Sequence, residues 1–134
     1  MIVDTSALCA VVMLETSARG LQRAMLTGTG LIPAPAFVEF RRLMEGRMSH
    51  RRREAQTLLQ HIFRVGVAIE SFTPEDAELA AEAIARWGKG NGGPLNLTDL
   101  MVYAVHERTG LPILCTGRDF ADTDAVLHPA SRRD

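Results

Sequence analysis

The chain has 134 residues, which suits one domain of ordinary size and leaves no room for two. Its composition, 46% hydrophobic and 23% charged, is that of a globular protein with a substantial apolar core. The formal net charge of −1 excludes a protein that binds nucleic acid by bulk positive charge alone, although a bound divalent cation can reverse the field of an acidic site.

The two cysteines, Cys9 and Cys115, lie in apolar runs and form no C-x-x-C pair. We therefore expect neither a disulfide framework nor a cysteine metal site. The N-terminus begins without the basic region of a secretory signal, and no apolar stretch has the length of a membrane span. These features predict a cytoplasmic protein with no membrane association.

The hydrophobic pattern of the first half alternates between short strands and helices. The predicted elements are a strand at 2–3, helices over 7–14 and 17–27, a strand at 31–32, and helices over 36–48 and 51–64. Thr16 or Ser17 can cap the second helix, and Pro33 and Pro35 end the second strand.

The second half continues the alternation. We predict a strand within 65–72, a helix from Thr73 to Trp87, a flexible loop over 88–94, a helix from the cap Thr98 to about Arg108, a strand over 112–116, and a frayed tail over 130–134. The pattern indicates a single α/β domain over 1–134, with a mostly parallel sheet between helices.

Four acidic residues follow strands or begin helices in this scheme. Asp4 directly follows the first strand, Glu39 lies in the helix after the second, Asp99 begins the helix before the last strand, and Asp119 follows that strand. In parallel sheets, sites form beyond the carboxyl ends of the strands, so all four can converge at one edge.

Such a cluster favours a hard divalent cation, because neighbouring carboxylates repel and oxygen ligands suit Mg²⁺ or Mn²⁺. A cation held there can activate water and stabilise charge on a phosphoryl oxygen. Each acid also has a structural interpretation. Asp4 and Asp119 can be turn residues, Asp99 can be a first-turn acid favoured by the helix dipole, and Glu39 can pair with Arg42.

Charge is also unevenly distributed along the chain. Residues 41–53 are rich in arginine, and residues 70–82 are acidic without a basic residue. Both runs can be solvated helix faces. The basic run can instead be a flank that receives a phosphate backbone.

Four further stretches stand out along the chain. They are MIVDTSAL at 1–8, FVE at 37–39, PLNLTDLMVYA at 94–104, and TGRDF at 116–120 with a following TD at 123–124. In this order they resemble the corresponding stretches of PIN-domain proteins of the VapC toxin type. None is specific alone, but together they span nearly the whole chain in register. The resemblance implies a PIN-like three-layer sandwich with a mostly parallel sheet of four to five strands.

The resemblance also implies an Mg²⁺- or Mn²⁺-dependent endoribonuclease toxin that cuts tRNA, rRNA or mRNA and inhibits translation. A cognate antitoxin would neutralise it by laying a C-terminal segment across the active-site groove, and a homodimer is expected. By motif, the catalytic acids are Asp4, Glu39, Asp99 and Asp119, and the metal ligands are Asp4, Asp99 and Asp119.

Several neighbouring residues are expected to support these acids. Thr5 or Ser6 would help to place a metal-bound water or a phosphate. Many relatives have Asp or Asn where this chain has Arg118, so either Asp119 or Asp124 completes the cluster, or three acids suffice. Arg118 could instead contact a phosphate or be a surface residue.

Two other functions are compatible with the sequence. A catalytically weak PIN-like module that binds RNA or protein is suggested by Arg118. A phosphatase or phospho-acceptor domain with Asp4 as nucleophile is less favoured, because Ser6 occupies the position of the usual second aspartate.

Overall fold

The strand at the very start of the chain lies inside a four-stranded parallel sheet of order β3-β2-β1-β4. The computed structural model describes residues 1–133. The elements in chain order are β1 (Ile2–Val3), α1 (Thr5–Val12), α2 (Ala18–Met25), β2 (Leu31–Pro33), α3 (Ala34–Glu45), α4 (Arg52–Arg64), β3 (Ala68–Glu70), α5 (Pro74–Trp87), α6 (Leu97–Thr109) and β4 (Ile113–Leu114), with 3₁₀ turns at Ser49–Arg51 and Lys89–Asn91.

The sheet is held by aliphatic residues on β1 and on the strands at either side of it, most of them fully buried. Ile2 pairs with Leu31 on one side and with Ile113 on the other, and Val3 pairs with Leu114. Of these five residues, all but Leu31 are fully buried. A parallel sheet covered by helices on both faces requires such continuous apolar strands. The predicted α/β sandwich with a parallel sheet of four to five strands is confirmed.

Two groups of helices cover the sheet. Helix α1 packs against α2, α3 and α4, whereas α5 packs along α6. Helix α6 also contacts β1 and β2. It runs back across the sheet before β4 begins, so its N-terminus lies at the carboxyl edge of the strands. None of the helices within residues 1–133 is long and apolar enough to cross a membrane.

Two predicted boundaries differ from the structure near the prolines and at the sheet edge. Strand β2 includes Pro33, and α3 begins at Ala34, because Pro35 lies in the first helical turn, where a missing N–H is not needed. The strand expected within 65–72 is limited to 68–70, where β3 pairs with β2 at the edge of the sheet.

The segment after β4 is tied to the sheet, in contrast to the predicted frayed tail. The Ser131 hydroxyl donates to the Ile113 carbonyl at 2.9 Å and accepts from the Cys115 amide at 3.0 Å. The Arg132 amide donates to the Cys115 carbonyl at 3.1 Å. The tail prediction is therefore wrong at these two positions, while residue 134 lies outside the described residues.

A buried ion pair joins α5 to α6 on the acidic run of the sequence. Asp76 is fully buried, accepts from the Thr73 amide at 2.8 Å, and receives the Arg108 Nε–H at 2.6 Å. Burial opposes ionisation, but the hydrogen bonds from Arg108 and Thr73 prevail and lower the pKa of Asp76. This part of the acidic run is therefore a helix cap and an interhelical bond.

Candidate active site

A cavity of about 300 Å³ opens at the carboxyl edge of the sheet. Its charged lining residues are Asp4, Glu15, Glu39, Arg47, Asp99 and Asp119. The four acids that the sequence singles out therefore lie around one space. Parallel topology accounts for this, because β1, β2 and β4 end at the same edge and α6 begins there.

Asp4 is held rigidly at the floor of this cavity. It is the N-cap of α1 and only 5% exposed. Its Oδ2 accepts from the Ser6 amide at 3.0 Å and from the Ser6 hydroxyl at 2.6 Å. Burial raises the pKa of Asp4, the bonds from Ser6 partly offset this, and the Glu39 carboxylate raises it further. Asp4 thus caps α1, while its burial and the nearby Glu39 disfavour the ionised form of its carboxyl group.

The Ser6 hydroxyl connects the ends of two neighbouring strands. While it donates to Asp4, it accepts from the Thr116 amide at 3.0 Å. The segment after β4, which carries Asp119, is therefore fixed relative to Asp4. This places Ser6 as a direct support of the acid at the end of β1.

Thr5 supports the site from the opposite side. Its buried hydroxyl donates to the Ala36 carbonyl at 3.1 Å, in the first turn of α3. That bond joins the start of α1 to the helix that carries Glu39. The hydroxyl of Thr5 is thus directed to a backbone carbonyl.

Asp99 enters the cavity from the first turn of α6. Asn96 is the N-cap, and its side chain accepts from the Asp99 amide at 2.8 Å, while the Asp99 carboxylate accepts from the Asn96 amide at 3.1 Å. The predicted cap Thr98 is therefore wrong. Asn96 is favoured because its extended backbone and side-chain oxygen complete a capping box.

The loop before this cap is closed by a tight backbone approach. A Cβ atom added to Gly93 would lie 2.3 Å from the carbonyl carbon of Trp87, which only glycine permits. The Leu95 amide donates to the Trp87 carbonyl at 2.9 Å. This closure delivers Asn96, and with it Asp99, to the edge of the sheet.

Like charges surround Asp99. Burial and the Asp4 carboxylate raise its pKa to about 7, against the opposing bond from Asn96, and the carboxylates of Asp119 and Glu39 add to the rise. The acids are thus close enough to sense one another. A positive charge in the cavity would reduce the repulsion between these carboxylates.

Glu39 and Asp119 complete the acidic lining from two different elements. Glu39 is partly buried on α3, and Asp119 is exposed on the segment after β4. The alternative in which Glu39 pairs with Arg42 is not realised, since no such ion pair is present within residues 1–133.

Two residues considered as supporting ones lie elsewhere. The carboxylate of Asp124 accepts from the Tyr103 hydroxyl at 2.7 Å and pairs with Arg86 at 3.3 Å. Arg118 is exposed and pairs with Asp122 at 3.2 Å. Neither lines the cavity. Between the two candidates for a fourth acid, the structure brings only Asp119 to the cavity.

The lining suits a hard divalent cation by donor type. Carboxylate oxygens are the ligands that Mg²⁺ and Mn²⁺ prefer, and Asp4, Asp99 and Asp119 contribute them from three elements. Among residues 1–133, no three His, Cys, Asp or Glu side chains stand close enough to form a ready-made metal cluster. The types of the lining side chains therefore suit such a cation, but their positions do not form a complete coordination sphere.

The sequence prediction did not assign four of the lining residues to the site, and it considered one of them, Arg47, only as a member of the arginine run that can receive a phosphate backbone. Glu15, Arg47, Asn96 and the half-buried Cys9 all border the cavity. Asn96 was accessible from the sequence, since it stands three residues before Asp99 in a capping-box spacing. Glu15 and Arg47 were not, because each lies just after a helix end, where the chain direction depends on tertiary contacts.

Comparison with known proteins decides the family. The family model described as PIN domain matches residues 1–126. The chain belongs to the PIN-domain family. Among PIN-domain relatives, ribonuclease VapC42 of Mycobacterium tuberculosis is 37% identical over 134 residues, covering 97% of this chain and 98% of VapC42. Ribonuclease VapC36 of the same species is 34% identical over 92% of this chain and 90% of VapC36.

A solved PIN-domain structure shows the same architecture. The crystal structure of Mycobacterium tuberculosis VapC20, a sarcin-ricin loop cleaving toxin, matches with a TM-score of 0.73 at 20% identity, over 93% of this chain and 95% of VapC20. At that identity the match demonstrates the fold. The sequence relatives place this PIN-domain chain with the VapC ribonucleases, and the predicted resemblance is confirmed.

Proposed function

We propose that this VapC-type protein is a Mg²⁺- or Mn²⁺-dependent endoribonuclease toxin that hydrolyses a phosphodiester bond of tRNA, rRNA or mRNA and so inhibits translation. The observation that carries the proposal is the convergence of Asp4, Glu39, Asp99 and Asp119 on one cavity at the carboxyl edge of the sheet. The raised pKa of Asp99, caused by burial and by Asp4, supports it, because such a cluster is relieved by a cation.

In the mechanism that we infer, Asp4, Asp99 and Asp119 would hold the cation. When bound, the cation would activate water and stabilise charge on the phosphoryl oxygens. Glu39 stands outside that ligand set and accepts the proton of the attacking water. The water oxygen forms a bond to phosphorus, the bond from phosphorus to the ribose oxygen breaks, and that oxygen takes up a proton from solvent water.

The protein's own framework keeps these acids in place. Ser6 fixes the Asp4 carboxylate and the Thr116 backbone together, and the Asn96 cap fixes Asp99. The activity therefore depends on hydrogen bonds within the chain as well as on the acids.

The proposal includes partners that the family resemblance implies. We expect a homodimer and a cognate antitoxin that neutralises the nuclease by covering the active-site groove. The alternative of a weakly catalytic binding module was suggested by Arg118. Because Arg118 pairs with Asp122 outside the cavity, it gives that alternative no support.

The test is cleavage of purified total RNA with Mn²⁺, with Mg²⁺ and with EDTA. Asp4→Asn should lower the rate at least ~100-fold. Asparagine also serves as an N-cap, so the helix start and the Ser6 contacts can persist while the charge is removed. Asp119→Asn should weaken activation by Mn²⁺, and the matched control Asp124→Asn should cleave like the wild type.

Two results would overturn the proposal. Equal cleavage by the wild type and Asp4→Asn would show that the activity does not arise at this cavity. Undiminished cleavage in EDTA would remove the metal from the mechanism.

A further inference from the structure

Three of the six arginines in the run at 41–53 form ion pairs or hydrogen bonds within the protein. Arg41 and Arg52 both pair with Glu45, at 3.9 and 2.9 Å. Arg51 donates from Nε to the Val12 carbonyl at 2.9 Å. The number of arginines in the run therefore overstates the positive charge that is available to a ligand.

Arg47 differs from these neighbours. It follows the end of α3 by two residues, is exposed, and lines the acidic cavity. Within residues 1–133 it forms no ion pair. Glu39 and Leu43 line the cavity from one face of α3, and Arg47 lines it from the turn that follows the C-cap Gly46.

The charge of Arg47 reaches the same part of the cavity as that of the acids. Burial raises the pKa of the Cys9 thiol to about 12, the Asp4 carboxylate contributes to that rise, and the Arg47 guanidinium opposes it. Cys9 lies on α1 beyond Ser6, so it borders the floor that Asp4 forms. A single guanidinium thus shares this cavity with five carboxylates.

This arrangement has a consequence for a polyanionic substrate. A cation among the acids can neutralise the phosphate that is cut, but the adjoining phosphates of the strand still meet the remaining carboxylates. The protein as a whole, with a net charge of −1, offers no broad positive surface to hold them. A guanidinium in the cavity lining can hold one of these adjoining phosphates, because it donates two parallel hydrogen bonds to it.

On the basis of the proposed function, we propose that Arg47 binds a backbone phosphate next to the one that is cut and so positions the RNA strand across the acidic floor. Arg47 is then a substrate-binding residue that does not touch the reacting atoms.

The experiment compares Arg47→Ala, Arg47→Lys and the control Arg42→Ala. Arg42 is also exposed on α3 and forms no ion pair within the described chain, but it does not line the cavity. Cleavage of total RNA gives KM and kcat. Binding of a fluorescently labelled RNA oligonucleotide to the Asp4→Asn protein, measured by anisotropy over a range of salt, gives affinity separately from chemistry.

Arg47→Ala should raise KM about 10-fold with kcat changed less than threefold. It should reduce the slope of log affinity against log salt by about 0.7, the value for one phosphate of a single strand. Arg47→Lys should restore the slope and only part of the affinity, since lysine lacks the forked geometry.

A salt slope equal to that of Arg42→Ala would overturn this role for Arg47, and so would a loss confined to kcat. These outcomes are distinct from a failure of the proposed nuclease, which would appear as metal-independent cleavage or as full cleavage by Asp4→Asn. The binding arm remains decisive for Arg47 in that case, because it does not require catalysis.

Discussion

Asp76 and Asp99 occupy the same position in two neighbouring helices. Each is the third residue of its helix, and each completes a capping box, with Thr73 in α5 and with Asn96 in α6. The local backbone geometry and the hydrogen bonds of the two caps are closely similar. Capping alone therefore explains why both aspartates are present.

Their surroundings separate them. Asp76 is buried but receives a bond from Arg108 at 2.6 Å, and its pKa is lowered despite its burial. For Asp99, burial is joined by the charge of Asp4 and of other acids, and its pKa rises to about 7. The charge of Asp76 is thus balanced by Arg108, whereas the carboxylate of Asp99 lies near other carboxylates and is not balanced by a positive group. Carboxyl groups whose pKa is raised by burial and by neighbouring acids are typical of functional sites.

The largest expected effect is the loss of stability on replacing Asp76. Asp76→Ala should lower the free energy of unfolding by about 3–4 kcal/mol, because it removes both the charge-assisted bond from Arg108 and the carboxylate that accepts from the Thr73 amide. Urea denaturation measures this, and RNA cleavage per folded molecule should be unchanged. Asp122→Ala, at the exposed pair with Arg118, is the matched control and should cost no more than about 1 kcal/mol. Comparable losses in the two variants would contradict the structural role of Asp76.

The second expected effect concerns activity. Asp99→Asn should reduce kcat/KM for RNA cleavage about 100-fold, since it removes a carboxylate from the proposed ligand set. The free energy of unfolding should not decrease, because an asparagine side chain can still accept the bond from the Asn96 amide. Cleavage assays and urea denaturation of the same preparation check both statements. If Asp99→Asn lowers the free energy of unfolding as much as Asp76→Ala does, the contrast between the two caps is wrong.

The smallest expected effect is in the pH dependence of stability, measured in EDTA. Asp76 has a lowered pKa, so its contribution is present above 3.8, the ordinary value, and is lost as pH falls through the lower folded value. Asp99 has the opposite sign. Between pH 3.8 and about 7 the folded protein keeps a proton that the unfolded chain releases, so the free energy of unfolding decreases as pH rises.

Asp99→Asn should flatten that decrease and raise the free energy of unfolding at pH 8 by about 1–2 kcal/mol. This is less than the full shift implies, since solvent reaches part of the carboxylate. Urea titrations at several pH values between 4 and 8 measure it. A decrease of the same size in wild type and Asp99→Asn would assign the pH dependence to other groups.

Much of the framework is predictable from local signals. Ile2 and Val3 form a buried strand because nothing polar interrupts them, and the combination of Thr73, Pro74 and Asp76 begins a helix by rules that act within one turn. The direction of parallel strands then suffices to gather the acids at one edge. These features depend on neighbours in sequence or on a general rule of topology.

What could not be predicted depends on distant contacts. The choice between Asp119 and Asp124 is decided by Tyr103 and Arg86, which hold Asp124 away from the cavity. Arg47, which lines the cavity together with the acids, is indistinguishable in sequence from its neighbours in the run. Side-chain pairing between elements, rather than periodicity, determines both.

The bond between the Ser6 hydroxyl and the Thr116 amide spans 110 positions of sequence. It lies beside the pairing of β1 with β4, the first and last strands of the sheet. On a ribosome, the end of β1 emerges early but has neither this amide nor its second strand partner until the segment beyond α6 has been made. The site around Asp4 is therefore incomplete until the segment that follows β4 has been made and β4 has paired with β1.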